Sequence, residues 1–333
     1  MWDRVDALLE RAPHEEAVRM HRVELLEARR RRAAGLELGT LAVDEATAVM
    51  CELVTEPLLA RVRETWDGPL VLHKGPEVAL DYPGPRLRGY CDLDLLTDDA
   101  SAAHAALLAA GFVTAREEES FGVPHHLTPL LWPGLPFTVE LHSRLNWPRA
   151  IPSPSTDELI AGAVPSRVAV DGVLTPAPAP HVLILAAHAW SHEQLGRLGN
   201  LIDVAVTLER ADEAEVAALA RRWGCGRMWR TTRAAIGAVL EDTGSSAAVA
   251  LWARHLRDVR ERSVAEWHVK NLLASVWGLP PRRVPAAVVS EVRATTVADQ
   301  HEPWPAKARR ARLAVRNAGT ARSEHLVALE REA

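Results

Sequence analysis

Along residues 1–66 apolar positions recur three and four apart, as in Val5, Leu8 and Leu9 and again in Val23 and Leu26, with Glu and Arg between them. That is the helical period, so this stretch is predicted as an N-terminal helical segment. At Asp67, Gly68 and Pro69 the pattern breaks, and short β-prone runs follow: PLVLHKG, YCDLDLLT, GFVTAREE and FTVELHS. Between the second and third runs, DDASAAHAALLAAG has an acidic N-cap region, an Ala and Leu interior and a terminating Gly111. These features predict a helix. Residues 67–150 therefore read as a mixed β-sheet core with a helix crossing between strands.

Prolines crowd Trp147 to Pro154, which predicts an irregular connection, followed by a short helix over Thr156 to Ala161. SRVAVDGVLTP predicts a tight hairpin turning at Asp171 and Gly172, since Asp-Gly suits a two-residue turn with positive φ. After APAPAP the chain reads helical almost throughout, so residues 151–333 are taken as a mainly helical C-terminal domain that completes a substrate cleft. The fold class is α+β, with helices flanking the sheet.

Composition narrows the setting. Of 333 residues, 48% are hydrophobic and the formal net charge is -5, enough to bury a large core and too balanced for a chain that coats nucleic acid. No run of about 18 uninterrupted apolar residues occurs, which argues against a membrane span. The charged start MWDRVDALLERAPHEE is not an export signal, and three cysteines without paired spacing fit a reduced, cytoplasmic protein. Basic clusters at Arg29 to Arg32 and at Lys307, Arg309, Arg310, Arg312 and Arg316 read as solvated helix faces, with nucleic acid as the lesser alternative.

Chemistry concentrates in the strands. Asp92 and Asp94, two apart in CDLDLLT, point to one side of a strand among leucines. Two carboxylates so placed repel and are poorly hydrated unless a cation sits between them, and magnesium or manganese is the natural partner for such oxygens. Glu140 shares a strand face with Thr138 and His142, and a third carboxylate there would complete the cage. Lys74 and Gly75 end the first strand; the lysine offers a compact charge to a triphosphate, and the glycine lets backbone N–H groups approach phosphate oxygens. The loop between carries Tyr82, Arg86 and Arg88, suited to neutralising phosphate or stacking on a base. Taken singly, each has a plainer explanation: the aspartates as an exposed strand end, Glu140 as a surface position, His142 as a satisfied buried histidine.

Their order and spacing together resemble the uncharacterised nucleotidyltransferase family of the DNA polymerase β-like superfamily. The matching run is LVLHKGPEVALDYPGPRLRGYCDLDLL, then a helix ending in AAGF, then VELHSRL. The matching positions are Lys74, Gly75, Tyr82, Arg88, Asp92, Asp94, Gly111, Phe112, Glu140 and His142. A weaker likeness extends through SRVAVDGVLTPAPAPHVLILAAHAWSHEQLGRLGNLIDVA, where His188, Arg197 and Asp203 match. His73 and Tyr90-Cys91 depart from the family pattern, and His73 is read as pointing to the far side of its strand.

The resemblance implies a metal-dependent nucleotidyltransferase: Asp92, Asp94 and Glu140 would bind magnesium or manganese, while Lys74, Gly75, Tyr82, Arg88, His142, His188, Arg197 and Asp203 would bind a nucleoside triphosphate. An NMP group would pass to a hydroxyl or similar nucleophile of a small-molecule acceptor. Transfer to tRNA or a protein, and a non-catalytic nucleotide-binding scaffold, are the alternatives. His188 and His192, four apart on a helix, have a spacing that holds zinc but lack an evident third ligand, so hydrogen bonding toward the nucleotide or Asp203 is preferred. Trp147 and Trp190 lie near enough in sequence to serve as a stacking platform, although core packing is the plainer use.

Overall fold

The computed structural model describes residues 1–115, 127–135, 137–191, 193–277, 279, 282, 284–289 and 304–332. The N-terminal segment is helical as predicted: α1 (Trp2–Leu9), α2 (Glu15–Met20), α3 (Glu24–Ala33) and the long α4 (Leu41–Thr65). His14 caps α2 by accepting the Ala17 N–H at 3.1 Å. The arginine run is neutralised locally rather than presented to a partner. Arg29 pairs with Asp6, Arg30 and Arg31 with Glu27, and Arg32 with Glu45.

Among the described residues seven strands form one mixed sheet. They are β1 (Val71–Leu72), β2 (Asp92–Leu96), β3 (Val113–Thr114), β4 (Leu130–Leu131), β5 (Thr138–His142), β6 (Ala163–Pro165) and β7 (Leu174–Pro176), in the order β3-β4-β5-β2-β1-β7-β6. The central strands β2 and β5 run parallel, which requires a crossover. It begins with α6 (Ala100–Ala109), capped by the Asp99 side chain on the Ala102 N–H at 2.9 Å and closed by Gly111 at φ +101°.

Strand parity sorts the side chains. Leu72, Leu93, Leu95, Val139 and Leu141 point to one face, against Leu58, Leu59 and Val62 of α4 and Ala103 and Leu107 of α6. Val71 and Leu96 belong to the opposite face, and they pack in the core that holds α8 (Pro178–Ser191) and α9 (Leu198–Leu208). α8 is apolar on nearly every side and accordingly buried between sheet and bundle. Leu72, Leu93 and Leu95 are fully buried, so truncating any one to alanine costs about 2–5 kcal/mol.

One local expectation fails. β6 pairs with β7 through Ala163–Pro165, earlier than predicted, so the connection at 166–173 is a long loop rather than a two-residue hairpin. Asp171 and Gly172 still turn, Gly172 at φ +75°, but the chain before them is drawn out of the sheet by Arg167. Its guanidinium reaches Glu77 and Asp81, each at 2.7 Å, and two ion pairs outweigh a turn preference. No helix among the described residues is long and apolar enough to cross a membrane.

Candidate active site

The register of the central strands sets the site. Asp94 lies opposite Glu140 and Asp92 opposite Thr138, and the His73 N–H donates to the Asp94 carbonyl at 3.3 Å. Residues abreast on neighbouring strands point to the same face. The sheet therefore carries Asp92, Asp94 and Glu140 together on the face that looks toward α8 and α9. There a cavity of about 760 Å³ opens, lined by all three carboxylates and by Lys74, Gly75 and His142.

Asp94 is the electrostatic centre. Only 3% exposed, it accepts from Lys74 Nζ at 2.9 Å and from His142 Nε2 at 3.0 Å, both on Oδ1. Burial opposes its ionisation, yet Lys74 and the hydrogen bond from His142 hold its carboxyl well below the usual range. His142 Nε2 also stands 3.7 Å from Glu140 Oε2, which ties the third carboxylate to the same point. Asp92 is different. No hydrogen bond or ion pair from the described residues reaches its carboxylate, and burial, then repulsion from Asp94, pushes its pKa up. A partly buried carboxylate that no described residue bonds, beside a second carboxylate, could hold a divalent cation.

Gly75 has φ +58°, and a Cβ on it would come within 3.1 Å of the Asp92 carbonyl oxygen, so glycine is required for the loop to lie against β2. Of the residues expected to meet a nucleotide, three are committed to one another. Arg88 grips Asp203 with Nε to Oδ1 at 2.8 Å and Nη2 to Oδ2 at 2.9 Å, and the Tyr82 hydroxyl donates to Oδ1 at 2.8 Å. Arg88 Nη1 also donates to the Gly75 carbonyl at 3.3 Å, so the cluster fastens the Lys74–Gly75 loop to α9. Arg88 and Asp203 still line the cavity, whereas Tyr82 lies behind its wall; burial and Asp203 raise its phenol far above the ordinary value.

His142 is buried and turned to Asp94, a positioning contact rather than an open nucleotide contact. His188, on α8, and Arg197, just before α9, both reach the cavity. Trp147 packs against Trp223 and Trp190 against Trp252; both are buried in the core, and neither lines the cavity. His192 lies outside the described residues. Cys51 and Cys225 are buried and Cys91 is exposed, all as free thiols.

Two features went unforeseen. His73 does not point to the far side: abreast of Asp94, its ring stands edge-on to His142 at 5.2 Å. Donor atoms of His73, Asp94 and His142 lie within 4.8 Å of one another, and neither His73 nitrogen has a hydrogen-bond partner among the described residues. Burial pushes its pKa well below the ordinary value, so the ring is neutral. The other is the N-terminal segment, which supplies Arg22, Glu24 and Asp44 to the cavity.

A mixed sheet whose parallel central strands present three carboxylates into a cleft roofed by helices is the arrangement of a nucleotidyltransferase-type transferase core. The chain belongs to the family of uncharacterised nucleotidyltransferases, whose family model matches residues 54–240. No curated protein matches it.

Proposed function

We propose that the protein is a metal-dependent nucleotidyltransferase that moves an NMP group from a nucleoside triphosphate to a hydroxyl or similar nucleophile of a small-molecule acceptor. The observation that carries this reading is the Asp92 carboxylate, bonded by none of the described residues, beside Asp94 and Glu140 on one face of the sheet. The acceptor oxygen attacks the α-phosphorus, the bond from that phosphorus to the bridging oxygen breaks, and pyrophosphate leaves with that oxygen's electron pair. Glu140, whose side chain is 22% exposed against 4% for Asp94, is the carboxylate placed to orient the nucleophile and take its proton. Held by Asp92, Asp94 and Glu140, magnesium or manganese would lower the pKa of the attacking hydroxyl and offset charge developing on phosphorus. Lys74 faces the triphosphate, and the Arg88–Asp203–Tyr82 cluster keeps the Gly75 backbone in place for it.

A small acceptor fits better than tRNA because the cavity is within the usual size of a ligand pocket and the Arg29 to Arg32 run is spent on internal acids. Free thiols and the absence of any membrane-crossing helix among the described residues agree with work in the cytoplasm. The decisive experiment is pyrophosphate release from each nucleoside triphosphate with magnesium over an acceptor panel, with product mass separating nucleotidyl from phosphoryl addition. Asp92→Asn and Asp94→Asn should each abolish release while retaining a cooperative melt. Full activity in both variants, or a product heavier by one phosphoryl group alone, overturns the proposal.

A further inference from the structure

Arg22 and Arg197 both line the cavity, one from the turn between α2 and α3 and the other from the residue before α9. Neither guanidinium has an ion pair or a hydrogen bond among the described residues, in a protein whose other cavity cations, Lys74 and Arg88, are engaged by Asp94 and Asp203. The two repel one another: burial and then the Arg22 charge depress the Arg197 pKa. Arg22 in turn lies close enough to Asp92 to favour its ionised form.

Their nearness is built by the backbone. Arg22 sits at φ +55°, a region that costs a non-glycine residue about 1 kcal/mol or more. The Gly199 N–H donates to the His21 carbonyl at 2.8 Å, and the Leu198 N–H to His21 Nδ1 at 3.1 Å. His21 Nε2 donates to the Arg260 carbonyl at 3.0 Å, and burial lowers its pKa to about 4, so the ring is neutral with its proton on Nε2. A Cβ on Gly199 would stand 2.7 Å from the Arg22 carbonyl oxygen, so only glycine lets α9 close on this turn. A strained turn, a glycine contact and a buried histidine thus hold two arginines near one another in the cavity wall, neither bonded to the acids Glu24, Asp44 and Glu193 that share it. An anion of more than one charge between them would offset their mutual repulsion.

We propose that Arg22 and Arg197 form a polyphosphate subsite, which receives the β- and γ-phosphates of the nucleotide and then the pyrophosphate that leaves. The assignment of the anion to the nucleotide rests on the nucleotidyltransferase reading; the existence of the subsite does not. It makes the N-terminal segment, which lies outside the matched family region, part of the substrate site.

The test is calorimetric titration of inorganic pyrophosphate into the full chain without divalent metal. Arg22→Ala and Arg197→Ala should each weaken binding by about tenfold or more, with Arg22→Lys recovering only part, while Asp92→Asn leaves binding unchanged or tighter. Arg22 is exposed, so its alanine variant should melt at the wild-type temperature. In turnover the same variants should raise KM for the nucleotide more than for the acceptor. Pyrophosphate binding equal to wild type in both alanine variants, or a KM increase confined to the acceptor, overturns the subsite. A protein that binds pyrophosphate through these arginines yet transfers nothing would instead sink the nucleotidyltransferase reading alone.

Discussion

Arg88 and Asp203, 115 positions apart, meet in two near-parallel hydrogen bonds of 2.8 and 2.9 Å, with side chains only 13% and 10% exposed. Burial works against the charge on Arg88, but Asp203 more than compensates and raises its pKa above the ordinary arginine value. Such a pair contributes little over an apolar substitute, yet breaking it strands a buried charge.

Arg88→Ala should therefore destabilise the protein by about 3 kcal/mol, because it leaves Asp203 with only the Tyr82 hydroxyl. Arg88→Ala with Asp203→Ala should cost clearly less than the sum of the two single changes. Denaturant unfolding of the four proteins in a double-mutant cycle measures this; additive effects would show that the clamp is not a coupled unit.

The contrast between β2 and this clamp shows what the chain discloses locally. Asp92 and Asp94 were legible because strand period alone puts alternate residues on one face, whereas Glu140 joins them through the parallel register of β5 on β2, which only the family resemblance had suggested. His73 was misread because its side depends on the antiparallel register of β1 against β2, which no local pattern encodes. The turn at Asp171 and Gly172 forms as its local preference predicts, but the strands it joins pair only from Pro165 and Leu174 outward, with Arg167 between them reaching Glu77 and Asp81, some ninety positions earlier. Tyr82, Arg88 and Asp203 were each expected to meet a nucleotide, and nothing in sequence showed that they bind each other. Arg22 carried no signal at all, one arginine among many, placed by a contact between His21 and Gly199 across the chain.

Buried histidines, His21 and His181 among them, make stability fall in mild acid. Burial lowers both His21 and His181 to about 4, against an ordinary 6.5. Between those values the unfolded chain takes up protons that the native state refuses, so stability is complete above about pH 6.5 and declines as pH falls toward 4. Each histidine contributes on the order of 3 kcal/mol across that window. His181→Gln, which can retain a donor for the His73 carbonyl bonded at 3.0 Å, should flatten the profile of unfolding free energy against pH by one such contribution. A variant profile parallel to wild type from pH 4 to 6.5 would rule His181 out as a source of the slope.

Gly199→Ala pits helix propensity against packing. In an open helix the change would stabilise by about 1 kcal/mol, since alanine loses less backbone freedom. Here the new methyl would lie 2.7 Å from the Arg22 carbonyl oxygen and 3.0 Å from that of His21, both backbone atoms of a turn that cannot yield without moving the arginine. Overpacking of this kind costs about 1–3 kcal/mol, so the net effect should be a lower melting temperature despite the better helix former. The displaced turn should carry Arg22 away from Arg197, and pyrophosphate affinity should fall even though both guanidiniums remain. Wild-type affinity in a destabilised Gly199→Ala protein would mean that the turn is needed for folding but does not aim the arginine.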